Sequence, residues 1–165
     1  GEIQNGVKNI PKWIINLHRN NFLNKSIKIK CKKDIFLDRS DSEYNHCQID
    51  NIGRIKNILK KNNFEIIKPE KLEFRKQIYI FKNASTIIGA HGASFTNIVF
   101  CKAGTKIIEI IPSDHPSKKC ERISKFLNLK YFRIKTKKNN FDKNYPFKIH
   151  LEQKHLKMIQ KIIDL

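Results

Sequence analysis

Short apolar runs alternate along the chain with longer segments in which apolar residues recur every three or four positions. The short runs are typical of buried strands, and the longer segments are typical of amphipathic helices. The predicted strands are DIFLDR (34–39), FEIIKP (64–69), STIIGA (85–90), TKIIEIIP (105–112) and KYFRIK (130–135). The predicted helices span 11–22, 52–63, 73–84, 94–103, 115–128 and 150–165. The alternating segment 25–33 is predicted to be an edge strand or a connector, and 137–146 a loop.

The repeated order of strand and helix predicts an α/β fold. A parallel sheet with helices on both faces has this order, and continuous apolar strands such as TIIGA suit burial on both faces. We expect a Rossmann-like domain over residues 34–165, preceded by a helix and connector in 1–33. Ligands of such sheets bind beyond the carboxyl ends of the strands. Asp38–Arg39, 89–94 and 109–113 should therefore lie along one edge.

The run GAHGASFTN (89–97) replaces bulky side chains by small ones where a strand turns into a helix. Two glycines let the backbone turn sharply or approach a ligand, and the first amides of a helix attract anions. The predicted diphosphate site comprises Gly89, His91, Gly92, Ala93, Ser94, Thr96 and Asn97. A tight turn capped by Ser94 is the structural alternative. The run matches neither the dinucleotide fingerprint nor the phosphate loop, and it lacks the second glycine of a nucleophile elbow.

The formal net charge of +19 is large for 165 residues, but the lysines are dispersed over turns and helix ends. No basic stripe studded with aromatic residues appears, so specific nucleic-acid binding is not expected. A basic surface still attracts anionic substrates or lipid headgroups, which suits peripheral membrane association. No apolar run is long enough to span a bilayer, and the first residues lack a signal-peptide pattern.

Several single residues invite a specific interpretation. The four cysteines form no CxxC pair and no Cys/His ligand spacing, and no Asp-x-Asp appears, so neither zinc nor another metal is expected. Cys101 is predicted to lie in an apolar helix of the core, and Asp50-Asn51 to cap the helix that follows. Trp13 is predicted to be a core or interdomain anchor. The surface histidines are expected to be His18, His150 and His155.

The run FRKQIYIFKNASTIIGAHGASFTNIVFCKAGTKIIEIIP resembles glycosyltransferase family 61. The signature of that family is a Gln-containing helix, then I-G-x-H-G-A-G-L-T-N-x-x-F, then P-G-x-x-V-I-E-I-x-P. The matching positions are Gln77, Gly89, His91, Gly92, Ala93, Thr96, Asn97, Phe100, Gly104, Glu109 and Pro112. Upstream, IFLDRS and IDNIGRIKNIL resemble family segments that place Arg39 and Asn51, so the resemblance extends over about residues 34–165.

The chain departs from the family pattern at four places. Ser94, Phe95 and Ala103 stand where the family usually has Gly, Leu and Pro. A second arginine that commonly precedes Asn51 is absent, and Cys47 and Gln48 lie near its place.

The resemblance implies a GT-B glycosyltransferase, in which two Rossmann-like halves face each other across a cleft. This chain has the length and element order of the donor-binding half, and the acceptor-binding half is missing or much reduced. The implied reaction is metal-independent, inverting transfer of a sugar, with UDP as the expected carrier, to a glycan or protein hydroxyl. Capsular or surface polysaccharide synthesis is one pathway that uses this reaction. The nucleotide-sugar is a substrate, and no cofactor is expected.

The resemblance also assigns roles to residues. Arg39 and His91 are implied to be catalytic, and Glu109, Gln77 and Asn51 to support the ribose or the loop. Glu109 either accepts hydrogen bonds from the 89–97 loop or contacts the ribose. The catalytic base stays open among Asp41, Glu43, His46, Asp114, His115 and a residue of the other half.

Two further alternatives stay open. The chain is a non-catalytic Rossmann-like module that binds a nucleotide or a partner, or it is a basic nucleic-acid binder. As an enzyme it is expected in the cytoplasm, including the inner face of the membrane. An upstream anchor in a eukaryote would instead place it in the Golgi or ER lumen.

Overall fold

Five parallel strands form the centre of the computed structural model, which describes residues 10–40, 47–139 and 148–165. The strands are β1 (Asp34–Leu37), β2 (Glu65–Ile67), β3 (Thr86–Ala90), β4 (Lys106–Pro112) and β5 (Lys130–Thr136). The α-helices are α1 (Lys12–Phe22), α2 (Ile52–Lys61), α3 (Phe74–Asn83), α4 (Lys119–Phe126) and α5 (Gln153–Ile163). The 3₁₀ helices are Leu23–Lys25, Pro69–Lys71 and Ala93–Phe100. The Rossmann-like α/β prediction is confirmed.

Helices cover both faces of this sheet because the strands are apolar on both sides. All five residues of β3 are buried. On one face α1, α3, α4 and the 3₁₀ helix Ala93–Phe100 pack against side chains such as Ile87 and Ile107. On the other face α2 and α5 pack against Ile88 and Ile108. The two alternating sets of strand residues thus belong to two separate hydrophobic clusters.

The strand order β2-β1-β3-β4-β5 places a topological switch point between β1 and β3. The chain leaves β1 towards one edge of the sheet and leaves β3 towards the other. The connections therefore diverge and open a crevice at the carboxyl ends of these two strands, where ligands of such folds bind. Arg39 lies two residues after β1, and His91 follows β3 directly.

Some elements differ from their predictions. The helix predicted over 94–103 is the 3₁₀ helix Ala93–Phe100, so Cys101 lies just after it, although it is buried. The segment 26–33 is a connector, because it pairs with none of the described strands. A short antiparallel pair, β6 (Lys138–Asn139) and β7 (Lys148–Ile149), extends into the predicted loop. Local periodicity cannot reveal such a two-residue pair.

Two single-residue predictions are also corrected, and a third is narrowed. Trp13 is 64% exposed, which excludes a core position in this chain, and its role as an interdomain anchor stays a prediction. His155 is buried, because it forms a capping box with Glu152 at the start of α5. Asn51 precedes α2 but makes no side-chain capping bond, since its amide group exchanges two hydrogen bonds with the backbone of Leu151.

His18 and His150 are exposed as predicted, and His150 additionally pairs with Asp50 at 2.9 Å. The four cysteines are free thiols. Among the described helices, none combines the length and the apolar character needed to cross a bilayer.

The docking of α1 can be tested at Ile15, which is 3% exposed in the core that also contains Ile98. We expect Ile15→Ala to lower the free energy of unfolding by about 2 to 5 kcal/mol, because truncation leaves a cavity. Leu17 on the same helix is 50% exposed, and Leu17→Ala should change stability by less than about 0.5 kcal/mol. Denaturant unfolding measures both. Equal, small effects would mean that α1 does not share the core of the sheet.

Candidate functional site

The switch point brings Arg39 into contact with the loop that follows β3. Leu37 pairs in register with Gly89, so the residues after each strand emerge side by side. The guanidinium of Arg39 packs against the backbone of Gly92, where an added Cβ would lie 1.0 Å from Nη1. The φ of Gly92 is 171°, an extended conformation open to any residue. Glycine is therefore needed here for space and not for backbone conformation.

Gln48 supports the segment that carries Arg39. Its Nε2 donates to the carbonyl oxygen of Arg39 at 3.2 Å and to that of Ser40 at 3.3 Å. Asp38 is buried and accepts a hydrogen bond from the Ser40 amide at 2.9 Å. A small pocket of about 50 Å³ lies between these residues and Ala90. Gln48, near the place of the absent second arginine, thus holds the backbone that presents the first.

His91 is oriented by a buried carboxylate. Its amide continues the β ladder by donating to Ile110 at 2.8 Å, and its ring nitrogen Nδ1 lies 2.6 Å from Oε1 of Glu109. Glu109 is 2% exposed in the middle of β4. Because Nδ1 is engaged, Nε2 is the ring nitrogen left to meet a ligand.

Glu109 receives two further donors. The Tyr131 hydroxyl donates to Oε2, and the Cys120 thiol also bonds to the carboxylate. Burial alone would raise the pKa of Glu109, but the hydrogen bonds from His91 and Tyr131 outweigh it and hold this pKa below its ordinary value. Burial, with the neighbouring carboxylate, raises the pKa of both Tyr131 and Cys120. The carboxylate is therefore ionised among donors that keep their protons.

His115 lies beside His91 on the loop after β4. The two ring centroids are 4.2 Å apart, with the planes inclined at 54°. His115 Nδ1 accepts a hydrogen bond from the Ser117 amide at 3.2 Å, and the His115 carbonyl accepts one from Arg133 at 2.9 Å. Among the predicted base candidates, the structure thus places His115 next to His91, and Asp114 is exposed on the preceding turn. Asp41, Glu43 and His46 lie outside the described residues.

The other residues of the 89–97 motif do not all converge on one point. An added Cβ on Gly89 would come within 3.0 Å of both Leu37 and Phe95, so this glycine makes room for close packing. Ala93 is exposed, whereas the Ser94 hydroxyl oxygen is buried and bonds to none of the described residues. A buried hydroxyl of this kind is normally satisfied by water or a ligand.

Asn97 is held by the predicted support residue Gln77. The Asn97 amide donates to Oε1 of Gln77 at 2.8 Å, and Gln77 Nε2 donates to the carbonyls of Pro69 and Leu72 at 2.9 Å. Asn97 and Thr96 line a groove beside α1 that shares no lining residue with the pocket next to Arg39. Asn51 bonds to Leu151 and does not join the His91 cluster.

His91, Glu109 and Cys120 are also the described residues whose chemistry comes nearest to a metal site. One ligand atom of each lies within 4.8 Å of the others. A metal ion would require the thiolate of Cys120, yet burial and the adjacent carboxylate raise the pKa of this thiol and favour its protonated form. The hydrogen bonds described above already use the same atoms.

Sequence analysis did not identify Tyr131, Cys120 or Arg133 as parts of this site. Glu109 pairs in register with Arg133, so alternation puts Tyr131 on the same face two residues earlier. The strand KYFRIK carries this alternation, but the register between β4 and β5 depends on tertiary packing. Without that register, the sequence pattern could not show that Tyr131 lies beside Glu109.

The comparison with protein families follows the same motif. The family model for glycosyltransferase 61 matches residues 4–108, which include Arg39, His91 and the whole 89–97 run. The chain belongs to glycosyltransferase family 61. The match begins before the predicted boundary at residue 34, so α1 and the connector lie within the matched range of this family member.

Two curated plant proteins are similar to this family 61 chain over a short segment. The beta-1,2-xylosyltransferase RCN11 of Oryza sativa subsp. japonica is 35% identical over 63 residues, which cover 38% of this chain and 12% of that protein. The beta-1,2-xylosyltransferase of Arabidopsis thaliana is 38% identical over 60 residues, covering 36% of this chain and 11% of that protein. The matched segment is therefore a small part of either relative's length.

The network around Glu109 can be tested at Tyr131. We expect Tyr131→Phe to lower the free energy of unfolding by about 1 to 3 kcal/mol at neutral pH, because a buried carboxylate loses a donor. The lowered folded pKa of Glu109 means that its ionised form stabilises the fold at neutral pH, and that this contribution is lost as pH falls through the folded pKa. In the variant the folded pKa rises, so the loss begins at higher pH.

Denaturant unfolding from pH 7 to pH 3 measures this difference, which should shrink as Glu109 becomes protonated in both proteins. Tyr79→Phe on α3 is the matched control, since the half-buried Tyr79 hydroxyl bonds to none of the described residues. A difference between wild type and Tyr131→Phe that is independent of pH would contradict an ionised Glu109.

Proposed function

We propose that this family 61 chain binds the diphosphate of a nucleotide-sugar donor at the switch point between β1 and β3. The observation that carries the proposal is the convergence of Arg39 and His91. One is packed against Gly92 at the end of β1, and the other is fixed by Glu109 at the end of β3. The guanidinium of Arg39 and the oriented imidazole of His91 then face the crevice in which such folds bind their ligands.

The chemistry of glycosyl transfer requires stabilisation of the departing diphosphate as its negative charge develops. The Arg39 guanidinium suits phosphate oxygens because it offers paired donors in one plane. His91, with Nδ1 held by ionised Glu109, donates from Nε2 when it is an imidazolium. Amides of the 3₁₀ helix from Ala93 and the Ser94 hydroxyl complete the donor set. Groups that are already oriented need little reorganisation during the reaction.

The proposed substrates follow from the family and from its plant relatives. The donor is a UDP-linked sugar, with a pentose such as xylose among the first to test, since both curated relatives are named xylosyltransferases. The acceptor is a hydroxyl group of a glycan or a protein. Transfer to a glycan would take place during polysaccharide synthesis. We propose inversion at the anomeric carbon and a GT-B arrangement in which a second half carries the acceptor. The base then comes from that half or from His115.

No metal step is included in this proposal. The donor set is built from a guanidinium, an imidazole, amides and a hydroxyl, which would donate hydrogen bonds to the diphosphate oxygens in place of a divalent ion. The enzyme is proposed to work in the cytoplasm at the membrane face. An additional upstream anchor would move it to a secretory lumen.

Calorimetric titration with UDP, GDP and CDP in the presence of EDTA tests the donor site directly. We expect UDP to bind under these conditions, and His91→Ala to weaken binding about 10- to 100-fold, the range of a charge-assisted hydrogen bond. His150→Ala is the control, because His150 lies apart from the His91 cluster and pairs with Asp50. Unchanged affinity in His91→Ala would remove His91 from the site. Binding that requires Mg²⁺ or Mn²⁺ would overturn metal independence.

The contact between Gly92 and Arg39 predicts a non-additive pair of substitutions. Gly92→Ala should displace the guanidinium and weaken diphosphate binding by about 1 to 2 kcal/mol, as much as Arg39→Lys does. The double variant should be no weaker than either single one, because both remove the same contact. Thermal stability should change little, since the clashing group is the flexible end of a side chain.

Two controls accompany this double-mutant cycle of Gly92 and Arg39. Gly53→Ala in α2 meets open space and should leave affinity unchanged. Replacing Lys60 and Lys61 at the far end of α2 should do almost nothing to binding at moderate salt. Additive losses in the cycle would show that Gly92 acts independently of Arg39. A large, salt-sensitive effect of the lysine pair would favour diffuse charge, and with it the nucleic-acid alternative.

A further inference from the structure

Helix α1 exposes two large apolar side chains on its outer face. Trp13 is 64% exposed and Leu17 is 50% exposed, although both lie on a helix whose inner residue Ile15 is buried. They are four residues apart, so their side chains are neighbours on one helix surface. Trp13 is the only tryptophan of the chain. Exposed indoles are common at binding interfaces, because the ring packs on apolar surface while its N–H bonds to a polar group or water.

The segment that includes this helix is basic without acidic residues. Residues 10–33 contain seven lysines and arginines and no aspartate or glutamate, within a chain of net charge +19. After α1 the connector alternates, so that Ile29 and Cys31 pack against the core while Lys28 and Lys30 are exposed. The exposed apolar face of α1 therefore belongs to a segment whose charged side chains are all basic.

A groove enlarges the apolar surface at the amino-terminal end of α1. It has a volume of about 660 Å³ and lies between α1, the 3₁₀ helix and the start of α4. Ile10, Ile14 and Phe100 line it, and Lys119 stands at its border. Phe74, which is 42% exposed, forms part of the same wall. The surface thus combines an apolar groove with cationic side chains.

The charge pattern decides among possible occupants. A second copy of the chain would bring two basic segments together, and like charges across an interface oppose association. A nucleic acid would satisfy the lysines but not the exposed leucine and the apolar groove. An anionic lipid surface satisfies both, because headgroups neutralise lysines while the interfacial region accepts Trp and Leu.

We propose that α1 and the connector 26–33 dock this protein on an anionic phospholipid bilayer, with Trp13 and Leu17 inserted at the interface. The helix has 11 residues and lies parallel to the lipid surface. The lysines supply attraction to the headgroups, and the apolar side chains supply burial. This surface lies apart from the proposed donor site at the β1–β3 switch point, so docking leaves that crevice accessible.

The sole tryptophan makes the experiment specific to this surface. The purified chain is mixed with vesicles of phosphatidylcholine alone or with phosphatidylglycerol as a third of the lipid. We expect Trp13 emission to shift to shorter wavelength, and the protein to sediment, only with the anionic vesicles. Leu17→Ala, which keeps the reporter and the fold, should weaken vesicle partition on the order of 10-fold. Replacing Lys28 and Lys30 by glutamine should weaken it by at least a similar factor.

Helix α5 on the opposite face of the sheet offers matched controls. Met158→Ala removes a side chain that is 48% exposed, and replacing Lys157 and Lys161 by glutamine removes two exposed charges. Both control variants should bind vesicles as the wild type does. Circular dichroism checks that every variant keeps its helix content.

Four results obtained with vesicles or with the protein alone would overturn the proposal. They are the absence of binding, equal binding to neutral vesicles, losses in the α5 controls as large as those in the α1 variants, and an emission shift that grows with protein concentration without lipid. The last result would indicate self-association through this face. An oligonucleotide that shifts Trp13 emission as strongly as the anionic vesicles would also overturn it, in favour of nucleic-acid binding.

Discussion

The ionised carboxylate of Glu109 is the constraint on which the rest of the site depends. A charge buried in the middle of a sheet is costly unless it is satisfied by donors. Here the loop after β3 contributes His91, α4 contributes Cys120 and β5 contributes Tyr131, so three segments converge on one side chain. The same bond that stabilises the carboxylate fixes the imidazole and its tautomer. The fold and the orientation of the candidate catalytic residue therefore share one interaction.

Gly89 and Gly92, the two glycines of the motif, have different structural roles. Gly89 lies beneath the ring of Phe95 and beside Leu37, so it allows the 3₁₀ helix to pack closely on the sheet. Gly92 leaves the space that the Arg39 guanidinium occupies. The first glycine thus serves the core and the second serves the crevice. The phenylalanine that replaces the usual family leucine is accommodated by that first glycine, since an extra methyl group would collide with its ring.

The molecule has two surfaces of distinct character. At the switch point, a few donors are held by buried hydrogen bonds, as recognition of a compact anion requires. The segment of α1 and the connector combines exposed lysines with the exposed side chains of Trp13 and Leu17, which suits a broad anionic surface. Under the two proposals, the first surface would bind the donor and the second would limit where the reaction occurs.

The sequence by itself determined the fold class, most element positions and the edge of the sheet that carries the site. These properties depend on local periodicity and on the rule that parallel strands share a carboxyl edge, and both can be seen in runs such as TIIGA and GAHGASFTN. The family resemblance, carried by the same runs, named Arg39, His91, Gln77 and Glu109. It did so without showing which of them touch.

Only the tertiary structure decided the contacts. The bond between His91 and Glu109 joins residues 18 positions apart, and the bond between Asn51 and Leu151 joins residues 100 apart. Such pairs depend on strand register and helix packing, which sum many small apolar contacts along the whole chain. The same reason explains why His155 is buried although it was predicted on the surface. Hydropathy describes a residue, whereas burial depends on the elements that fold over it.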